Sequence, residues 1–152
     1  MNNISARNMV DSDLSDVLRI ETSSQVMPWN RQSFEESLSK QHYCRVLEED
    51  VKDNHLLAFH VVCPVVDELH ILTLAVKPEL QGSGIGHALM HDIIDFSKLK
   101  KLEKIFLEVR ASNLIAQNLY QKWQFKQIAI RENYYRSHSK QREDAFVYVR
   151  LE

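Results

Sequence analysis

The chain has 152 residues, of which 44% are apolar and 26% charged, and its formal charge at neutral pH is −2. That length suits one domain with a sizeable core and is too short for two comfortable ones, so residues 1–152 are expected to form a single domain. The charge balance carries no footprint of a nucleic-acid binder, and no apolar run approaches the roughly 18 residues that span a bilayer, so neither nucleic acid nor membrane is an expected partner.

The basic stretches at 98–101 and 136–142 read as solvated surface. Because the first residues lack the charged-then-apolar layout of a secretory leader, a cytoplasmic location is the default expectation. Cys44 and Cys63 show no C-x-x-C spacing and read as small core residues rather than a disulfide framework or a metal knuckle.

In chain order, a short strand over Ile4 to Arg7 precedes a helix expected to be capped by Asp11, with Leu14, Val17 and Leu18 on one face. Pro28 and Trp29 mark a loop before a second short helix carrying Phe34 and Leu38. Three strand candidates follow: YCRVLEE, LLAFHVVC and LHILTLAV. The third is apolar on both faces, as expected of a centrally buried strand. After Pro78 and a glycine-rich loop comes a helix to about Lys98, with Ile85, Ala88, Leu89, Ile93 and Phe96 inward and His87, His91, Asp95 and Lys98 outward. A strand KIFLEV leads to a helix with Ala116, Leu119, Tyr120 and Trp123 on one stripe, and strands near 125–133 and 144–150 close the chain. The order of elements predicts an α/β fold with a mixed sheet.

All three glycines of the chain, Gly82, Gly84 and Gly86, fall within five residues between a strand and a helix. Such a loop lets backbone amides approach a guest closely, and anions are the usual guest. A nucleoside-triphosphate loop would need Lys and Ser or Thr after its second glycine, whereas His87 follows Gly86. The dinucleotide fingerprint G-x-G-x-x-G is missed by one residue, and three consecutive strands precede the loop where a βαβ unit should open. Gln81, Gly84 and Gly86 also form Q-x-x-G-x-G, with Gly82 and Ser83 at the two intervening positions.

On that signature, together with LEVRASN, the LY…F pattern ending at Phe125, and NYY…EDA, the chain resembles the GCN5-related N-acetyltransferase (GNAT) family. The resemblance runs over nearly the whole chain. It implies a GNAT fold, a central mixed and mostly antiparallel sheet of about seven strands flanked by about four helices. It also implies acetyl-CoA as cosubstrate, no metal, and as partner the N-terminal peptide of a ribosomal protein. Within the family the motifs look like those of enzymes that acetylate the N-terminal alanine of a small-subunit ribosomal protein. Another protein amine or a small-molecule amine is the alternative acceptor.

The residues have readings of their own beside the resemblance. Glu108 interrupts an apolar strand on the face it shares with Phe106, which suits either a working base or an ion pair with a nearby Arg or Lys. Tyr120, at helical spacing beside Leu119 and Trp123, is by periodicity a core residue. By resemblance Glu108 is the general base, Tyr120 the general acid and Asn113 a coenzyme contact. Resemblance also gives Leu74, Ala75 and Val76 the pantetheine arm, and Gln81, Gly82, Ser83, Gly84, Ile85 and Gly86 the pyrophosphate. Trp29, Tyr134 and Tyr135 are the candidate substrate-groove residues, the two tyrosines either lining the groove or packing inward. Two departures from the family pattern stand out: Gln124 where a glycine normally precedes the Phe, which predicts strain or an altered helix end, and Ala58-Phe59 in the third strand.

Overall fold

The structure, a computed structural model, describes residues 3–50 and 56–152. Seven strands and four helices alternate along it: β1 (Ile4–Asn8), α1 (Leu14–Ser24), α2 (Arg31–Ser39), β2 (Tyr43–Glu49), β3 (Leu56–Val65), β4 (Glu68–Val76), α3 (Ile85–Leu99), β5 (Lys104–Arg110), α4 (Leu114–Lys122), β6 (Lys126–Tyr135) and β7 (Glu143–Leu151). The strands form a sheet in the order β1-β2-β3-β4-β5-β7-β6. β4 and β5 run parallel, whereas β1–β2, β2–β3, β5–β7 and β6–β7 are antiparallel. The expected mixed, mostly antiparallel α/β sheet is therefore present. Among the described residues no helix is long and apolar enough to cross a membrane.

Two compact units can be distinguished, Met1–Cys63 with Leu72–Ile93, and Pro64–Ile71 with Ile94–Glu152. In the first, Leu14, Val17 and Ile20 of α1 meet Phe34 of α2 and Val46, Phe59, Val61 and Ala75 of the strands. Trp29 packs on this cluster, its ring edge-on to Phe34 at 5.1 Å. A separate cluster joins Leu47, Leu57 and Ala58 to Ile85 and Leu89 of α3. The α3 stripe is as its 3.6-residue period predicts: Ile85, Leu89 and Ile93 are buried while His87, His91, Asp95 and Lys98 are exposed.

Two local expectations are corrected here. β4 is the middle strand of the seven, as expected, but β3 is the more completely buried: Leu56 to Val62 are all buried, whereas Leu72 of β4 stays exposed. At the start of α1 the anchoring carboxylate is Asp13 rather than Asp11. Its Oδ2 accepts from the Val10 amide at 2.8 Å, and Arg7 forks both oxygens at 2.8 Å. Burial works against that charge, yet the Arg7 hydrogen bonds hold the Asp13 carboxyl below its ordinary range.

In the second unit β5 pairs with the start of β4 through Glu68↔Lys104, Leu69↔Ile105 and His70↔Phe106, and with β7 from Lys104↔Leu151 to Arg110↔Ala145. Ile105, Leu107 and Val109 point into the core, and Phe106 and Glu108 lie on the other, half-buried face, as alternation requires. Gln124, between α4 and β6, adopts a φ of +67°, the left-handed conformation that a glycine would take without strain.

Candidate active site

In the first unit, the loop after β4 is a short 3-10 turn, Pro78–Leu80, followed by Gln81, Gly82, Ser83 and Gly84, all exposed. Gly82 and Gly84 have φ of +82° and +91°, and a methyl group on either would meet no protein atom within 4 Å. Backbone conformation, then, and not crowding by the protein, accounts for these two glycines. The amides of Gln81 and Ser83 are spent inside the turn, on the carbonyls of Pro78 and Leu80 at 3.3 Å. The first amide bonded back into α3 is that of Ala88, to Gly84 at 3.3 Å, so those of Ile85 and Gly86 precede the helical ladder. An open, glycine-lined helix start of this kind favours an anion, through its amides and the helix dipole. These residues therefore fit the diphosphate of coenzyme A.

Beside the loop, Ala75 is buried and Leu74 and Val76 are half-buried. The carbonyl of Leu74 accepts from Gln25 Nε2 at 3.1 Å, and that of Val76 from Ser24 Oγ at 3.3 Å. Both donors come from the end of α1, where Glu21 is 99% shielded, with only 1% of its surface exposed. Glu21 accepts from the Trp29 amide at 3.0 Å and from the Thr73 hydroxyl at 3.2 Å. Burial pushes its carboxyl up despite these bonds. Trp29 is thus pinned twice, by its backbone to Glu21 and by its ring to Phe34.

In the second unit, Glu108 is half-buried, with 28% of its side chain exposed, and pairs with Arg131 Nε at 2.9 Å. The Glu108 charge acts on the nearby Tyr134 phenol and raises it above its ordinary range. Glu108 is thus ion-paired with an arginine, one of its two expected readings, and remains partly accessible. Tyr120 is buried against Phe125 and Tyr148, at ring distances of 5.7 and 6.4 Å, and burial keeps its phenol protonated well beyond neutral pH. Asn113 is the N-cap of α4, its Oδ1 accepting from Ala116 at 3.1 Å.

Tyr134 and Tyr135 end strand β6 instead of lying in a loop. Tyr134 is exposed; Tyr135 is half-buried under the Arg110 guanidinium, 4.5 Å from its ring centre, and burial with the nearby Glu108 charge pushes its phenol up to about 12. Arg110 in turn bonds Glu143 at 3.1 Å, and Glu143 accepts the Ser112 amide at 2.8 Å. Gln117, nearly buried, donates to the carbonyls of Arg110 and Ala111. These bonds hold the RASN turn against the start of β7.

Sequence reasoning missed Glu21, Gln25, Gln117, Arg131 and Glu143. Glu21 had a signal, since it falls seven residues after Leu14 on the inner stripe of α1. Cys44 is buried, and its thiol is pushed up to about 11, the opposite of an activated nucleophile. Among the described residues no group of three or more His, Cys, Asp or Glu stands close enough to share a metal ion.

The sequence profile of the acetyltransferase (GNAT) family matches residues 14–125, a stretch that takes in segments of both units. A Bacillus subtilis (strain 168) protein, provisionally named a [ribosomal protein bS18]-alanine N-acetyltransferase, is 36% identical over 93% of this chain and 91% of its own length. The [ribosomal protein bS18]-alanine N-acetyltransferase of Escherichia coli (strain K12) is 33% identical over 97% of this chain and 95% of its own. The crystal structure of the Escherichia coli ribosomal-protein-S18-alanine N-acetyltransferase superposes with a TM-score of 0.87 at 30% identity, covering 98% of this chain and 94% of that one. Arabidopsis thaliana NAA60, solved in complex with acetyl-CoA, shares the fold alone, with a TM-score of 0.87 at 18% identity over 98% of each chain. This chain belongs to the acetyltransferase (GNAT) family.

Proposed function

We propose that this N-acetyltransferase moves the acetyl group of acetyl-CoA onto the α-amino group of an N-terminal alanine in a small-subunit ribosomal protein. One observation carries the acceptor class: the end-to-end likeness to proteins named for that reaction, above 30% identity over more than nine-tenths of the chain. Acetyl-CoA, when bound, supplies an acyl carbon activated as a thioester. Gln81, Gly82, Ser83, Gly84, Ile85 and Gly86 hold its diphosphate, Leu74, Ala75 and Val76 its pantetheine arm, and Asn113 adds a contact through its amide nitrogen.

Attack needs a neutral amine. An α-amino group titrates near ~8 and a lysine near ~10.4, so at neutral pH the former sheds its proton roughly a hundred times more readily. A single carboxylate then suffices as base. Of the two protons the nitrogen loses overall, Glu108 takes the first and passes it to water; Tyr120 Oη gives its proton to the departing sulfur, and the nitrogen's second proton, lost as the tetrahedral species collapses, restores the phenol. The Tyr120 phenol holds its proton at neutral pH and so has one to give when the thiolate forms. Trp29, Tyr134 and Tyr135 offer the aromatic surfaces on which a peptide's first residues would lie.

The test is mass spectrometry of products. Alanine-starting peptides, N-terminally blocked lysine peptides and polyamines are each incubated with acetyl-CoA and the enzyme. Acetylation of the alanine peptide in clear preference is expected; acetylation of lysine or polyamine alone overturns the acceptor and leaves the acetyltransferase. Glu108→Gln should lower kcat about 10²-fold or more with little change in acetyl-CoA binding. Wild-type turnover in that variant removes Glu108 from the reaction.

A further inference from the structure

We propose that Arg131 is a resident counter-cation on Glu108 which the substrate's own α-ammonium displaces, so that entry depends on the charge of the incoming N-terminus. The proposal rests on the acceptor reading above and deepens it. Two ways of holding a carboxylate are seen in this protein. Arg7 grips Asp13 with both terminal nitrogens at 2.8 Å, the carboxylate only 9% exposed, and that pair is a fixed structural clamp. Arg131 meets Glu108 through Nε at 2.9 Å, from a side chain that is 56% exposed. Pairs as open as this hold weakly, because water competes for both ends.

Arg131 also has somewhere to go. Its guanidinium carbon lies 5.5 Å from the Tyr134 ring centre, and a cation released from Glu108 can remain on that ring or turn to solvent. β6 is the edge strand of the sheet and is exposed from Lys126 to Tyr134, so nothing on its outer side obstructs the movement. A carboxylate offers about four lone-pair sites, so an arriving ammonium can engage Glu108 before Arg131 has fully left.

Arg131 is thus a positioning residue, acting through Glu108. In the resting enzyme it shields a lone carboxylate, and during binding it yields to a ligand that brings a positive charge of its own. The acetylated product carries no charge at its amide nitrogen and cannot hold Arg131 off. Once Glu108 has given its proton to water, the resident pair re-forms and favours release.

The experiment is a binding cycle on the full chain with coenzyme A present. Calorimetry compares one alanine-starting peptide with a free α-amino group and the same peptide N-terminally acetylated. Wild type, Arg131→Gln and Arg131→Lys are measured against both. Arg131→Gln should tighten the free-amine peptide by roughly two- to fivefold and leave the acetylated one unchanged, while Arg131→Lys, which keeps the cation, stays within about a factor of two of wild type. An equal change for both peptides, no change for either, or weaker binding of the free-amine peptide overturns the role given to Arg131. Failure of wild type to acetylate the free-amine peptide from acetyl-CoA overturns the acceptor reading and this proposal together. Transfer without selective tightening overturns the Arg131 role alone.

Discussion

Removing the carboxylate of Asp92 should cost this protein a sizeable part of its stability, for reasons that can be worked through atom by atom. Asp92 lies on α3 and accepts from His60 Nε2 at 2.7 Å, while Arg45 reaches both its oxygens at 3.2 Å. His60 is fully buried on β3, and among the described residues its Nδ1 meets no hydrogen-bond partner. The neutral ring therefore carries its proton on Nε2, with Asp92 as acceptor. In Asp92→Ala that N–H is left unpaired in the core, a loss of about 1–3 kcal/mol, and the half-shielded Arg45 pair contributes up to about 1 kcal/mol more. For 152 residues the unfolding entropy is about 0.3 kcal/mol/K, so each kcal/mol shifts Tm by about 3 °C. The expected drop is about 3–12 °C, read by circular dichroism melts at pH 8. Asp92→Asn keeps an acceptor for Nε2 and should lose less than half as much. A melt of Asp92→Ala within about 2 °C of wild type refutes the account.

Two further outcomes follow from the geometry. Burial raises the Glu21 carboxyl above its unfolded value of 4.5, so the folded chain holds that proton more tightly and stability from this group declines as pH rises from 4.5 through the raised value. Thermal melts of Glu21→Gln should match wild type near pH 4 and gain on it toward pH 7; a difference that stays flat with pH contradicts a raised Glu21. Gly84→Val forces a β-branched residue to a φ of +91° in open space, so the fold should survive while the loop re-forms, and the acetyl-CoA Kd measured by calorimetry should rise about tenfold or more. An unchanged Kd takes this loop out of coenzyme binding.

Periodicity made much of this fold legible. The bounds of β2, the two faces of α3 and the face carrying Glu108 were all readable, because each depends only on neighbours within one element. The exposure of Leu72 on the central strand β4 was less readable: β3 and β4 are both largely apolar, and covering depends on which helices pack above and below. Arg131 was out of reach for the same reason. Glu108 stands opposite Val147, and Val147 opposite Ala129, so the partner of Glu108 is fixed by two strand registers and a bulge in β6 that no local pattern encodes. The sequence pattern ends the sixth strand near 133, whereas in the structure it continues through Tyr134 and Tyr135.

The conformation of Gln124 bears on how this chain tolerates change. A side-chain-bearing residue held in left-handed backbone geometry sits uphill by about 1 kcal/mol from where it would rest if unconstrained. That excess lies at the hinge between the helix presenting Tyr120 and the edge strand presenting Arg131, yet belongs to neither side chain. The molecule therefore carries an unrelaxed spot where α4 gives way to β6, and sequence drift toward glycine at that corner can relieve it without touching either of those side chains.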